Sequence, residues 1–393
     1  MIWIPITLAS GLALFASRGR YFVWPPHEKQ LLKLDPEGLP ALPPTTRIEF
    51  NADGERGDPL PPDWNDTYRV LVAGGSAAEC WFMDQPSTWP MVIQRQLSDP
   101  DRLAHLESKR VHVGNVARSL VPCETIHELL EKTLPRYERL DAIVFMVGAS
   151  DVVAWLESGT PPVLAPNPVP VDRTFAEHPE TRFAWSLGGL ALRRVLARAK
   201  RRFLPSVDVK ERAGKRMAEY RAMRANAREI LTEVPDPAPL VTYFDRHFRA
   251  MIELAKQHAD RVIVARQPWL DKTFTPEEAA RLWNFGRGRP YREEVEVYYA
   301  HDVVAELMRT LDRRQHELAQ ELGVEDIDML GAVAPTFEHY YDYLHFTQKG
   351  CEAVATAVAD CLAPTAPASP AESPAGPAPQ KPIELKTPRS GSR

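Results

Sequence analysis

The sequence predicts an α/β fold in which helices cover both faces of a parallel β-sheet. Five short apolar runs are typical of buried strands: YRVLVAG (68–74), RVHVGN (110–115), DAIVFMVG (141–148), RVIVARQ (261–267) and VEDIDML (324–330). Helical patterns separate and follow them, at 77–97, 123–134, 237–258, 291–321 and 347–362. Because parallel strands need crossover connections, which are usually helices, this alternation predicts three layers, α/β/α.

The composition indicates a soluble globular protein with a sizeable core. The chain has 393 residues, of which 44% are hydrophobic and 26% are charged. A formal net charge of −5 supplies no basic field, so we expect no nucleic-acid partner. The four cysteines form no Cys-x-x-Cys pair and no His-Glu-x-x-His motif is present, so we expect no metal site and no cofactor.

The first 20 residues form an apolar N-terminal segment, MIWIPITLASGLALFASRGR. A helix over 1–16 would be about 25 Å long, shorter than the ~30 Å hydrocarbon core of a bilayer. The segment lacks the basic start of a secretory signal, because Arg18 and Arg20 follow the apolar run. A weak membrane anchor, a signal and a buried hydrophobic strip all stay open, and we favour membrane association or export.

Two further segments flank the predicted domain, which spans 67–362. Residues 21–66 are interrupted by prolines and predict an extended lead-in with at most short edge strands. Residues 363–393 are rich in proline and alanine and have few large apolar side chains. Such a segment buries too little surface to offset its loss of conformational entropy, so we expect a disordered tail.

One connection, at about 152–240, is too long for a simple crossover and predicts a helical insertion beside the active-site face. Within it, LGGLALRRVLARAKRRF (187–203) combines apolar positions with many basic residues. Its simplest interpretation is a solvated helix that packs one face on the core. The alternative is a helix that contacts anionic lipid or an acidic polymer.

Small and polar residues follow the predicted strands at the sheet edge where open parallel sheets bind ligands. After the first strand comes GGS (74–76), at a helix start where a serine is also a common N-cap. Later strands are followed by GN (114–115), by GASD (148–151) and, after a loop, by DYLH (342–345). We therefore expect these four motifs to lie near one another.

Taken together, the four motifs resemble the blocks of the SGNH hydrolases, also called the GDSL family. That family has Gly-Asp-Ser in its first block, Gly-x-Asn-Asp in its third and Asp-x-x-His in its last. The resemblance covers about residues 66–362, and its specificity comes from four blocks in family order, each after a predicted strand. It implies a three-layer, flavodoxin-like SGNH fold with a parallel sheet and a helical insertion.

The resemblance implies a catalytic triad in which Ser76 is the nucleophile, His345 is its general base and Asp342 orients the imidazole. The chemistry is coherent, because a serine hydroxyl needs a base and the base needs an acceptor that fixes its tautomer. An acid and a histidine three residues apart meet within one turn. His339 has no matching acid three residues before it and is expected to be a surface residue.

Three positions depart from the family pattern. Gly75 replaces the aspartate of the first block. The backbone donor of the second block, usually a glycine in the family, aligns with Leu120, and Gly114 beside Asn115 is a rival placement. Ser150 stands where the family has the asparagine that helps to bind the oxyanion, so we expect an oxyanion hole that is incomplete or built differently.

The activity implied by the resemblance is hydrolysis of an acyl or acetyl ester, of a carbohydrate or a lipid, through an acyl-enzyme. An acyltransferase using the same triad is one alternative. A catalytically weak binding or assembly module is another, and a protein that acts at a lipid surface is a third. Trp81, Trp155 and Trp269 are candidates for a pocket wall or for the core, and Cys80 is expected in the core.

Overall fold

The computed structural model describes most of the chain: residues 20–165, 171–179, 191–204 and 206–364, with positions 5, 8–10 and 12. Most of the apolar N-terminal segment and nearly all of the Pro/Ala-rich tail lie outside these residues, as do 166–170 and 180–190 of the insertion. No helix within the described residues is both long and apolar enough to cross a bilayer. The interpretations of the two terminal segments therefore stay predictions.

The five strands expected from the sequence form one parallel sheet. The strands of the described residues are β1 (Lys29–Leu34), β2 (Thr45–Glu49), β3 (Thr67–Gly74), β4 (Arg110–Asn115), β5 (Leu140–Met146), β6 (Val207–Ala213), β7 (Glu229–Leu231), β8 (Ala259–Ala265), β9 (Val297–Tyr299) and β10 (Glu325–Ile327). β10 is shorter than predicted, because Asp328 caps the next helix through the backbone N–H of Gly331.

The parallel sheet has the strand order β10-β8-β5-β3-β4. All four of its strand pairs are parallel. Counted along the chain within this sheet, the order is 2-1-3-4-5, which is the flavodoxin-like arrangement. The order reverses between β3 and β5, so a crevice opens beyond the carboxyl ends of these two strands. The predicted fold class is confirmed.

Helices surround the sheet, and two of the predicted helices are shorter than expected. Those described are α1 (Ser76–Glu79), α2 (Trp89–Leu97), α3 (Pro100–His105), α4 (Cys123–Thr133), α5 (Ala149–Glu157), α6 (Val171–Thr174), α7 (Ala191–Phe203), α8 (Arg216–Ala225), α9 (Ala238–Lys256), α10 (Pro276–Ala279), α11 (His301–Leu322), α12 (Met329–Ala332) and α13 (Gln348–Leu362).

The helix expected over 77–97 is divided into α1 and α2. Cys80 adopts a left-handed conformation with φ of 54°, which ends α1, and Pro86 lies in a 3₁₀ turn before α2. The helix expected over 291–321 begins only at His301, because the preceding residues form β9, which pairs with β7. The first difference arises from local backbone conformation and the second from a pairing of distant strands, and apolar spacing encodes neither.

Alternating side chains of the strands supply two separate cores, one on each face of the sheet. Leu71 of β3 and Ile143 of β5 pack with apolar residues of α4, α9 and α11. Val70 and Val144 of the same strands point the other way and pack with α2 and α13. This period of two within each strand explains why the strands have continuous apolar sequences, since both faces are buried.

The predicted lead-in and the predicted insertion share a second, smaller sheet. β1 and β2 of the lead-in are antiparallel, and β6 of the insertion pairs in parallel with β1, giving the order β2-β1-β6. The insertion, which was expected to be helical, therefore contains β6 and β7 as well as helices. It begins later than expected, because α5 extends to Glu157. The apolar pattern of the sequence did not predict this pairing, because β6 is largely exposed and has no apolar face to mark it as a strand.

The basic helix of the insertion is α7. One side is held to the rest of the chain, because Arg198 and Arg201 form ion pairs with Glu177. Elsewhere on the helix, Leu196 and Phe203 are 59% and 73% exposed. Contact of this helix with anionic lipid or an acidic polymer stays a prediction.

Arg56 of the lead-in fixes the backbone directly after α1. Its side chain is 2% exposed, and burial lowers the pKa of its guanidinium. The guanidinium donates to the carbonyl oxygens of Glu79 (2.8 Å), Cys80 (2.7 Å) and Met83 (2.6 Å) and to Gln85 Oε1 (3.1 Å). These donors replace the helical hydrogen bonds that are lost where α1 stops.

Arg56→Met is expected to destabilise the fold strongly. The carbonyl oxygens of Glu79 and Met83 lose the donor that Arg56 supplies, whereas the Cys80 carbonyl and Gln85 Oε1 each keep a backbone N–H donor. An unsatisfied buried acceptor costs about 1–3 kcal/mol. We expect the free energy of unfolding, measured by urea denaturation, to fall by about 3 kcal/mol or more. The control is Arg47→Met, which removes an exposed pair with Asp84 at 3.4 Å and is expected to leave the midpoint nearly unchanged. Equal shifts in both variants would contradict this role.

Candidate active site

The fold brings three chain segments together beyond the carboxyl ends of the central strands. Ser76 follows β3 and is the first residue of α1. Ser150 follows β5, in the first turn of α5. Asp342 and His345 lie in the loop between α12 and α13. The first two segments flank the point where the strand order reverses, and the third crosses over it, so residues far apart in sequence line one crevice.

Ser76, His345 and Asp342 form a continuous chain of hydrogen bonds. His345 Nε2 lies 2.7 Å from Ser76 Oγ, and His345 Nδ1 lies 2.6 Å from Asp342 Oδ2. Because a carboxylate only accepts, the Nδ1 proton points to Asp342 and leaves Nε2 as an acceptor for the serine hydroxyl. The structure thus brings together the three residues that the sequence motifs predicted to act together.

Asp342 is held rigidly by the backbone of its own turn. It is fully buried, and its Oδ1 accepts the N–H groups of Leu344 (2.7 Å) and His345 (2.7 Å). The turn is closed by a hydrogen bond from Tyr341 N to the His345 carbonyl oxygen at 3.0 Å. The carboxylate that orients the imidazole is therefore itself oriented before any ligand binds.

The imidazole of His345 is tuned by its surroundings. Burial alone would lower its pKa, but the Asp342 carboxylate and, more weakly, Glu79 raise it, and the net pKa lies above the ordinary 6.5. The ring of Tyr341 stacks on it at 5.6 Å between centroids. His339 lies apart from this group and pairs with the Thr336 hydroxyl at 2.9 Å.

Leu120 has the backbone conformation expected of an oxyanion donor that is usually a glycine. Its φ is 62°, in the left-handed region that few residues other than glycine adopt. Its N–H donates to no residue that the structure describes. Leu120 lines the same cavity as Ser76 and His345. As the first residue of α1, Ser76 offers a second N–H that no helical hydrogen bond uses.

Gly114 and Asn115, the rival placement, lie behind the cavity. Gly114 is inside β4, and a Cβ there would lie 2.5 Å from the Glu55 carboxylate. Asn115 donates through Nδ2 to the carbonyl of Ala78 (2.8 Å), and its Oδ1 accepts the N–H of Ala117 (2.9 Å). The Asn115 side chain is thus used to hold the segment after Ser76, and neither Gly114 nor Asn115 is among the residues that line the cavity beside Ser76, which favours the Leu120 placement.

Two buried acids that sequence reasoning gave no role hold the loop around Leu120. Glu79, at the end of α1, accepts the hydroxyl of Ser119, and burial raises its pKa. Asp151 Oδ1 accepts the N–H of Cys123 at 3.0 Å, and burial raises its pKa to about 7. In the sequence, only the position of Glu79, three residues after Ser76, could have indicated that it lies near the site.

Two departures from the family pattern are in contact with each other. A Cβ on Gly75 would lie 2.7 Å from Ser150 Oγ, closer than real side chains approach. The Ser150 hydroxyl therefore occupies the space that a side chain at position 75 would need. The residues at positions 75 and 150 therefore limit each other's size.

This coupling predicts non-additive kinetics. Gly75→Ala should lower kcat about tenfold, because the new methyl group displaces either the Ser150 hydroxyl or the nucleophile loop. Ser150→Ala alone should cost less than about tenfold, since we expect backbone N–H groups to hold most of the oxyanion charge. The double variant should be close to Ser150→Ala, because the clashing oxygen is gone. Steady-state kinetics on one short-chain ester decide this, and costs that multiply would contradict the contact.

The triad opens into a cavity of about 290 Å³ with largely aromatic walls. Trp81 contributes to this wall, as one interpretation of the sequence expected. Trp155 and Trp269 do not line it, because they are buried in the core, with 2% and 0% exposure. Cys80 is also buried, with its thiol donating to the Ala77 carbonyl, and belongs to the core.

Comparison with known proteins gives similarity at the level of structure alone. No protein-family model and no curated protein matches the chain. An acetylxylan esterase from Geobacillus stearothermophilus is 10% identical over 75% of this chain and 94% of its own, with a TM-score of 0.40. A protein of the lipolytic G-D-S-L family from Desulfitobacterium hafniense is 10% identical over 74% and 98%, with a TM-score of 0.37. The family named for the second neighbour, G-D-S-L, is the one that the sequence motifs resemble.

Proposed function

We propose that this protein is a serine-dependent carboxylic ester hydrolase of the SGNH type. The observation that carries the proposal is the unbroken chain of hydrogen bonds from Asp342 through His345 to Ser76, at the wall of a cavity. Nucleophile, base and orienting acid at 2.6–2.7 Å are the geometry that acyl transfer through a serine requires.

The first half-reaction acylates Ser76. Its Oγ attacks the ester carbonyl carbon while His345 Nε2 takes the hydroxyl proton. The backbone N–H groups of Ser76 and Leu120 are the donors for the oxyanion that forms. When the tetrahedral intermediate collapses, the bond to the alcohol oxygen breaks, and His345 returns the proton to the departing alcohol.

The second half-reaction releases the acyl group. Water takes the place of the alcohol, gives a proton to His345 and attacks the acyl-enzyme carbonyl. When this second intermediate collapses, the bond between the acyl carbon and Ser76 Oγ breaks, His345 returns its proton to that oxygen, and the carboxylic acid leaves. A second alcohol in place of water would give transfer instead, so an acyltransferase uses the same residues and the same proton path.

A fluorophosphonate probe and two ester assays test the proposal. We expect covalent labelling of one serine, hydrolysis of p-nitrophenyl acetate, and release of acetate that does not depend on an added alcohol. Acetate release that requires an alcohol acceptor would instead establish the transferase. Absence of both labelling and turnover in folded protein would contradict the hydrolase and favour the non-catalytic binding or assembly module.

A further inference from the structure

The basic helix α7 is attached to the rest of the chain through arginines. Arg194, Arg198 and Arg201 are spaced i, i+4 and i+7, so they share one face of the helix. Arg194 donates to the His178 carbonyl oxygen at 2.7 Å. The other two form ion pairs with Glu177. The face of α7 that contacts the body is therefore its charged face.

The opposite face of α7 is apolar and open to solvent. With a turn of about 100° per residue, Leu196 and Phe203 point away from the three arginines, and both are largely exposed. The chain extends this apolar surface after the helix, where Leu204, Val207 and Val209 are also exposed. A solvated helix ordinarily buries its apolar face, so the orientation of α7 is the reverse of its simplest sequence interpretation.

Basic side chains flank the apolar surface on both sides. In helical projection, Arg193 and Lys200 lie along one edge of the exposed face, and Arg202 lies along the other. All three are exposed, and the ion pairs of α7 within the described part of the chain are those of Arg198 and Arg201. An apolar centre with cationic edges is the pattern of a helix that lies in the plane of a membrane surface.

The apolar N-terminal segment precedes a residue that lies beside α7. Phe22 N donates to the Glu177 carbonyl oxygen at 2.9 Å. Arg198, which pairs with Glu177, lies over the Phe22 ring at 4.4 Å from its centroid. The apolar run of residues 1–16 ends only a few positions before this contact. Two apolar features of the chain thus occur at one side of the body, which favours a lipid surface as their common partner.

We propose that this protein docks on an anionic lipid membrane through α7 and the residue that follows it. Lipid accounts for both parts of the surface, because acyl chains accept the apolar side chains and phosphate groups pair with the cations. An acidic polymer would pair with the cations but leave the apolar side chains in water. The inference does not depend on the proposed ester hydrolysis. The docking face consists of Arg193, Lys200, Arg202, Leu196, Phe203 and Leu204.

Co-sedimentation of the full chain with vesicles tests the cationic part of the docking face. We expect binding to vesicles of phosphatidylcholine with phosphatidylserine, weaker binding to phosphatidylcholine alone, and loss of the difference at high salt. Replacing the three cations of the docking face together by glutamine should weaken binding to the anionic vesicles about a hundredfold.

A matched control for this variant has the same change in net charge. It replaces Lys109, Arg139 and Arg313 by glutamine, which are exposed cations in ion pairs elsewhere on the surface. This variant should bind the anionic vesicles nearly as the wild type does, because surface pairs contribute little and the docking face is intact. Equal losses in the two triple variants would show that net charge alone drives binding, which would overturn the inference.

Serine substitutions test the apolar part of the docking face. Leu196→Ser combined with Phe203→Ser should weaken binding about tenfold or more, because two apolar side chains no longer enter the acyl region. Val234→Ser is the control, since this exposed valine lies outside the docking face and should not affect binding. All these positions are exposed, so the midpoint of urea unfolding should stay close to that of the wild type.

The remaining outcomes separate the possible partners. Strong binding that both α7 variants retain would overturn the inference and assign membrane contact to the apolar N-terminal segment. Binding that the cation variant loses and the serine variant keeps would overturn it in favour of an acidic polymer. Absence of binding to any vesicle would overturn it outright, whether or not the protein hydrolyses esters.

Discussion

Ser76→Ala should abolish fluorophosphonate labelling and reduce ester hydrolysis by about 10⁴-fold or more. The reason is that Ser76 Oγ, which lies 2.7 Å from His345 Nε2, is the atom that forms the acyl bond in the proposed mechanism. Once it is removed, only the backbone donors and the binding cavity remain, and these cannot form an acyl-enzyme. Labelling is followed by mass spectrometry of the intact protein, and hydrolysis by release of p-nitrophenol.

The fold should survive this substitution, because Ser76 is the first residue of a short helix. The acceptor that loses its donor, His345 Nε2, belongs to a side chain that lines the cavity, where water can replace the hydroxyl. Ser98→Ala provides the control: this exposed serine, whose hydroxyl donates to the Gln94 carbonyl at 2.7 Å, lies at the end of α2. It should label and turn over as the wild type does. Unchanged labelling of Ser76→Ala would show that another residue is the nucleophile.

Asp342→Asn should lower kcat by about 10⁴-fold while the protein stays folded. The asparagine Oδ1 can still accept the N–H groups of Leu344 and His345, so the turn is retained. Its amide Nδ2, however, donates to His345 Nδ1 where the carboxylate accepted. The imidazole proton is then held on Nε2, which donates to Ser76 instead of accepting from it, and the base is lost.

The pH profile provides a second test of the interaction between Asp342 and His345. Only neutral imidazole accepts a proton, so kcat/KM should fall as pH falls through the pKa of His345. Because Asp342 raises that pKa above 6.5 despite burial, activity should be lost at a higher pH than for an ordinary histidine. In Asp342→Asn the residual activity should decline at lower pH than in the wild type. A rate that does not depend on pH between mildly acidic and neutral conditions would contradict the role of His345.

The sequence by itself determined the strands of the parallel sheet and the three residues that form the hydrogen-bonded chain. Buried parallel strands have continuous apolar sequences because both faces are covered, so β3, β4 and β5 are visible without any structure. Asp342 and His345 are three residues apart, and an interaction within one turn depends on local spacing alone. Ser76 is marked by its place after the first strand, at the edge of the sheet where ligands bind.

Tertiary structure alone decided which of two second-block residues faces the cavity. From the sequence, Leu120 and Gly114 are both possible backbone donors of the second block, because a leucine does not predict a left-handed backbone conformation. The φ of 62° at Leu120, and the Glu55 carboxylate packed against Gly114, follow from segments that close on each other in space. Apolar spacing also failed to predict that α1 ends at Glu79. The helix can end there because the Arg56 guanidinium replaces the missing helical hydrogen bonds.

The same holds for the residues that surround the triad. Ser150 and Gly75 are 75 positions apart, yet the hydroxyl of one fills the space of the other's absent side chain. Trp81 and Leu120 come from different segments, and nothing near either in sequence shows that they line one cavity with Ser76. Periodicity and spacing record contacts within an element or a turn, whereas contacts between distant segments depend on the packing of the whole chain.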